Sequence, residues 1–133
     1  KLKHLDEYAA ARQKAAAAYN RAFANNPHIQ VPVQSDRSTH VYHQYTLVTK
    51  NINRDKLLDH LQSKNIPCAV YYPVPMHMQK AYLDPRYKEG DLPVTEELSR
   101  TVISLPMHTE MDEEQITFIT NAVLEFVNNH PTV

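Results

Sequence analysis

Glycine is nearly absent from this chain. Only Gly90 among 133 residues is a glycine, where an ordinary composition would hold ~7%. Phosphate cradles and dinucleotide turns use glycine so that backbone can come close to the ligand. This sequence builds neither by a standard route, so no glycine-rich loop of its own holds a nucleotide or a phosphorylated cofactor. Cysteine is equally scarce. Cys68 stands alone, which excludes an internal disulfide and suits a reducing, cytoplasmic compartment. Its place in the apolar run Cys68–Tyr72 suits a buried inert thiol better than a nucleophile. The net charge of −1 provides no basic excess, so nucleic acid is not an expected partner. No apolar run approaches the ~20 residues of a membrane span, and no membrane partner is expected.

The 133 residues suit one domain, and at 42% apolar and 22% charged residues the composition is that of a globular protein. Positions 1–23 read as a helix. Alanine runs at 9–11 and 15–18 favour it, and two apolar rows follow helical spacing: Leu2, Leu5 and Ala9, then Tyr8, Ala15, Tyr19 and Phe23. A chain that opens inside a helix reads as a piece of something longer. Asn25, Asn26 and Pro27 break the helix. Positions 28–33 form a short extended piece. Alternating β-branched and aromatic residues predict the best strand over 39–49. Asn53 caps a helix over 54–64, and Asn65 follows in the place of the usual C-terminal glycine. A second strand is predicted over 68–72, a helical turn over 76–82, a helix beginning at Pro93, and a third strand over 102–105. Asp112 and Gln115 have capping-box spacing ahead of a last helix, whose apolar stripe is Ile116, Ile119, Val123, Phe126 and Val127. The expected fold is α+β: a small, mainly antiparallel sheet of about three strands covered by helices, with a long N-terminal helix.

Self-contained chemistry is hard to find. Eight histidines invite a metal, but their spacing does not. His40 and His43, three apart in a strand, would point to opposite faces, and His60, His77 and His108 are isolated. No serine lies in a nucleophile elbow. Glu96, Glu97, Glu113 and Glu114 sit at helix starts, where they favour the dipole without a catalytic role. No lysine shows the desolvated setting of a Schiff base.

One segment does stand out. Between Tyr71 and Tyr82, three tyrosines, two prolines, a histidine and a glutamine fall within twelve residues. Pro73 and Pro75 fix φ and delete backbone donors, so any strand reaching Tyr72 stops there. A stiff turn then presents His77 and Gln79 in a defined direction. Tyr42-His-Gln-Tyr45 is a second tyrosine-rich stretch. The bland reading is a strand-to-helix corner with aromatic filler. The functional reading is a polar surface that completes a site whose reactive centre lies elsewhere.

Five segments occur in the order seen in one family: Thr39-His-Val-Tyr-His-Gln-Tyr-Thr-Leu-Val, Asn53-Arg-Asp-Lys-Leu-Leu, Tyr71-Tyr-Pro-Val-Pro-Met-His-Met-Gln-Lys-Ala-Tyr, Leu92-Pro-Val-Thr-Glu-Glu-Leu-Ser-Arg and Ile103-Ser-Leu-Pro-Met-His. From about Leu5 to Asn128 the chain resembles the C-terminal small domain of the DegT/DnrJ/StrS sugar aminotransferases, pyridoxal-phosphate enzymes of the aspartate-aminotransferase fold. The resemblance implies a homodimeric enzyme. A large domain outside this sequence would hold the cofactor, with the Schiff-base lysine and most of the phosphate cup. The implied reaction moves an amino group from glutamate to a nucleotide-linked keto sugar, and this chain alone would be inactive. By match to the motif, His77, Tyr71, Tyr72 and Gln79 would face the substrate, with His43 and Gln44 as a weaker pair. Residues 1–23 would be the linking helix and 28–130 the α+β body. The rival is an independent α+β module whose tyrosine-histidine surface holds a small ligand without catalysis.

Overall fold

The computed structural model of the protein describes residues 2–132. Lys1, where the first helix is expected to begin, lies outside the described residues. Helix α1 (Leu5–Ala22) is entered through a 3-10 turn at Leu2–His4. Strands β1 (Ile29–Gln30), β2 (Tyr45–Thr49) and β3 (Val102–Leu105) form one antiparallel sheet in the order β1-β2-β3. Helix α2 (Arg54–Ser63) connects β2 onward, α3 (Pro93–Thr101) runs directly into β3, and α4 (Glu113–Asn129) ends the chain. The α+β architecture read from the sequence is the one observed. Among the described residues no helix is long and apolar enough to cross a membrane.

Local chemistry accounts for most element ends. Asn53 Oδ1 accepts from the Lys56 amide at 3.0 Å and opens α2. Asn65 takes φ 59° just after it, a left-handed geometry that asparagine tolerates. Asp112 Oδ1 accepts from the Gln115 amide at 2.7 Å, and Gln115 Oε1 accepts from the Asp112 amide at 3.2 Å, a reciprocal capping box. Ala15, Ala16 and Tyr19 of α1 with Phe23 just after it, Leu57 and Leu61 of α2, and the predicted stripe of α4 are buried together in one core.

The sheet has two unlike faces because its side chains alternate. Tyr45 and Leu47 of β2 enter the core with Ile103 and Leu105 of β3. Thr46 and Val48 stand opposite Ser104 and Val102 on the other face, where the Thr46 and Ser104 hydroxyls lie 2.8 Å apart. That second face is the floor on which the candidate site is built.

Two strand predictions are corrected. The strand expected over 39–49 survives only as Tyr45–Thr49. Upstream, α1 takes the backbone away from the sheet. Arg12 Nε donates to the Val41 carbonyl at 2.9 Å, and Gln13 Nε2 donates to the His40 carbonyl at 3.0 Å. Tyr42 turns to φ 47°, stacks on His40 with ring centres 4.1 Å apart, and is buried. The strand expected over 68–72 reduces to a single bridge, Ala69 to Ser104. Pro67, Pro73 and Pro75 leave too few donors around it for a longer ladder. The helical turn predicted over 76–82 is two successive 3-10 turns, Met76–Met78 and Lys80–Tyr82.

Candidate functional site

The loop after Ala69 lies over the second sheet face and is walled by α3. Between them is a cleft of about 340 Å³, within the range of small-molecule sites. Tyr71, Tyr72, Val74, Pro75, Met76 and Gln79 form the loop wall, Thr95, Leu98 and Ser99 the helix wall, and Val102 the end on β3. Gln79 Nε2 donates back to the Val74 carbonyl at 3.1 Å and braces the turn made by the two prolines. A smaller cleft of about 170 Å³ is lined by His43, Gln44, Ala69, Ser104 and again Tyr71, among others. Tyr71 is therefore common to both. Tyr72 is 73% exposed, so its ring is free to meet a ligand or another surface.

Five of the six residues nominated from sequence line these clefts: Tyr71, Tyr72 and Gln79 on the first, His43 and Gln44 on the second. The structure places His77 differently. Its side chain is 6% exposed, and Nε2–H donates to Glu96 Oε1 at 3.1 Å. Its Nδ1 is buried without a partner among the described residues. Glu96, itself 5% exposed at the side chain, also accepts from the Gly90 amide at 2.9 and 3.0 Å and from the Leu92 amide at 3.3 Å. Burial pushes the Glu96 carboxyl up, but the Gly90 and Leu92 amides and His77 outweigh it and hold the group below the usual carboxylate range.

Sequence reasoning passed over Glu96 as a helix-start carboxylate. A signal was present. Helix α3 begins Leu92-Pro93, and the Leu92 side chain makes no capping hydrogen bond. The amides leading into the helix still need acceptors, and Glu96, one turn on, accepts from those of Gly90 and Leu92. Thr95, Leu98 and Ser99 were also missed, because the cleft depends on how α3 meets the tyrosine loop.

Cys68 is partly buried, and burial pushes its thiol up to about 12, the chemistry of an inert side chain. Among the described residues no three histidine, cysteine, aspartate or glutamate side chains gather as a metal site. Gly90 has φ +92°, and a Cβ there would meet nothing within 4 Å. That positive φ is a turn geometry which glycine adopts without strain.

Comparison with known proteins places this architecture. The model of the DegT/DnrJ/EryC1/StrS aminotransferase family matches residues 1–124. The chain is 38% identical over 128 residues to a pleiotropic regulatory protein of Geobacillus stearothermophilus, covering 95% of this chain and 34% of that protein. It is 35% identical over 126 residues to the dTDP-3-amino-3,4,6-trideoxy-alpha-D-glucose transaminase of Streptomyces venezuelae, covering 95% and 33%. The crystal structure of S. venezuelae DesV in complex with a ketimine intermediate superposes with a TM-score of 0.87 at 35% identity, over 93% of this chain and 33% of that one. An aminotransferase structure from Brucella abortus gives 0.83 at 33% identity, over 94% and 32%. The chain thus spans about a third of the length of the relatives it matches. With this sheet, this helix order and this match over nearly its whole length, the chain belongs to the DegT/DnrJ/EryC1/StrS aminotransferase family.

Proposed function

We propose that this chain is the small-domain part of a pyridoxal-phosphate-dependent aminotransferase that moves an amino group from glutamate to a nucleotide-linked keto sugar. One observation carries the reading. In a chain of this family, the proline-braced tyrosine loop forms one wall of a cleft of about 340 Å³ and contributes Tyr71 to a second cleft bearing His43 and Gln44. Aromatic rings offer flat apolar faces with a polar tip, which suits a nucleoside base or a sugar ring. Tyr71, Tyr72 and Gln79 then bind and orient the nucleotide-sugar, and His43 and Gln44 offer hydrogen bonds at its edge.

The two clefts do not fit the cofactor's phosphate. Both clefts lack a lysine or arginine, and the sole glycine makes no cradle. Pyridoxal phosphate supplies the electron sink for amino transfer, and in this reading it is held by a large domain outside this sequence. The partners are that large domain and a second copy of the full-length chain. The enzyme works in the cytoplasm, in keeping with a lone unpaired thiol, and the 133-residue chain by itself is inactive.

The test separates the half-reactions in the full-length protein, each followed by cofactor absorbance. Stacking on an aromatic ring is worth roughly 1–3 kcal/mol per base, so Tyr72→Ala should raise the KM for the keto sugar about tenfold or more. The glutamate half-reaction should be unchanged. Equal losses in both, or none in either, would remove the tyrosine loop from the substrate side.

A further inference from the structure

His77 and Glu96 do more than stabilise a surface turn. They lie 19 residues apart, one on the tyrosine loop and the other on α3, and these two elements are the opposite walls of the larger cleft. Their hydrogen bond crosses from wall to wall. Glu96 simultaneously holds the Gly90 and Leu92 amides, so one carboxylate joins the tyrosine loop, the 83–92 segment and the start of α3. No apolar residue from 71 to 92 is buried. The region has no apolar core of its own to set its position, and polar ties must do so.

The direction of the bond is set by its partners. A carboxylate that already accepts two backbone amides is an acceptor, so Nε2 carries a proton and donates it. Nδ1 lies in a buried place with no partner among the described residues. His77 therefore acts as a donor to Glu96, and its side chain lines neither of the clefts that hold the other nominated residues.

We infer that His77 is a positioning residue: through Glu96 it sets the spacing of the tyrosine wall against α3 and so the width of the substrate cleft, without touching substrate. The inference about substrate rests on the function proposed above; the tie between the walls does not. It predicts that the essential feature of His77 is a hydrogen-bond donor at the Nε2 position, which a glutamine carboxamide can supply.

The experiment uses the full-length protein with His77→Ala, His77→Gln and Glu96→Ala, and reads two quantities. The first is amide hydrogen exchange at Gly90 and Leu92, whose amides bond to Glu96 and not to His77. The second is KM and kcat for the nucleotide-sugar half-reaction. A hydrogen bond to a charged acceptor is strong enough that His77→Ala should speed exchange and raise the sugar KM about tenfold, with kcat nearly unchanged. Glu96→Ala should do the same, and His77→Gln should restore both quantities to near the parent values. If His77→Gln is as impaired as His77→Ala while exchange at Gly90 and Leu92 stays at the parent rate in both, His77 meets the substrate itself and the inference is overturned. If exchange responds as described but the sugar KM does not, the tie between the walls stands and the reading of the cleft as a sugar site fails.

Discussion

The helical core and the 71–92 segment obey different physics within one domain. The core joins α1, α2, α4 and the inner sheet face, with Tyr19, Tyr45, Leu47, Leu57, Leu61, Ile103, Val123 and Val127 fully buried. Segment 71–92 is rich in apolar residues yet buries none of them: Tyr71, Tyr72, Val74, Met76, Tyr82, Leu83, Tyr87 and Leu92 are all exposed. It is held by polar ties instead, namely the Glu96 carboxylate, the Gln79 brace and the Asp84–Arg86 pair at 2.7 Å. Apolar side chains left in solvent on a braced frame mark an interaction surface. The difference teaches where stability resides: the core supplies it, and the loop is left to the recognition proposed above.

Cutting the core should cost most. Leu61→Ala removes a side chain that is 0% exposed and should destabilise the domain by about 2–5 kcal/mol in denaturant titration. Tyr82→Ser, in the other region, should change stability by only about 0.5 kcal/mol or less. Equal losses would show that the loop carries folding energy after all.

The bare surface should be sticky. Leu2 in the 3-10 turn and Leu5 at the start of α1 are exposed as well, in line with a row that the sheet does not cover. Burying one such side chain is worth roughly 1.5–3 kcal/mol. The 133-residue chain should therefore self-associate at tens of micromolar in sedimentation, and Tyr72→Ser with Leu83→Ser should weaken the dissociation constant by about tenfold. A strictly monomeric parent would refute an uncovered partner surface.

The smallest effect is the response to acid. Glu96 is held below the usual carboxylate range when folded, so its stabilisation is complete above the ordinary carboxylate value. It fades as pH falls through the lower folded value. Hydrogen exchange in 83–92 should quicken over that interval before the core responds, and Glu96→Gln should remove this pH dependence. An unchanged profile in Glu96→Gln would assign the acid response to other groups.

Much of this was legible because it depends on neighbours in sequence. The caps at Asn53 and Asp112, the left-handed Asn65, the N1 proline of α3 and the stripe of α4 all follow from side chains within about one turn of each other. The tyrosine motif also showed itself, since prolines and polar groups at close spacing constrain the backbone locally. The strand over 39–49 was read too long because alternation describes a side-chain pattern and cannot report that Arg12 and Gln13, far upstream, claim the same backbone carbonyls. Glu96 was misread for the same reason: as a helix-start charge it looked solvated, and only the arrival of His77 and the Gly90 turn buries it.

The sequence by itself determined the helices, their caps and the order of the elements, because propensity, capping and hydrophobic period act over a few residues; it did not determine the extent of the strands read over 39–49 and 68–72. Its single cysteine also excluded an internal disulfide. Only the tertiary structure decided which wall faces the tyrosine loop, why His77 turns away from the cleft, and how Tyr71 comes to serve two clefts. Those outcomes depend on contacts between residues far apart in the chain, whose geometry no local pattern encodes.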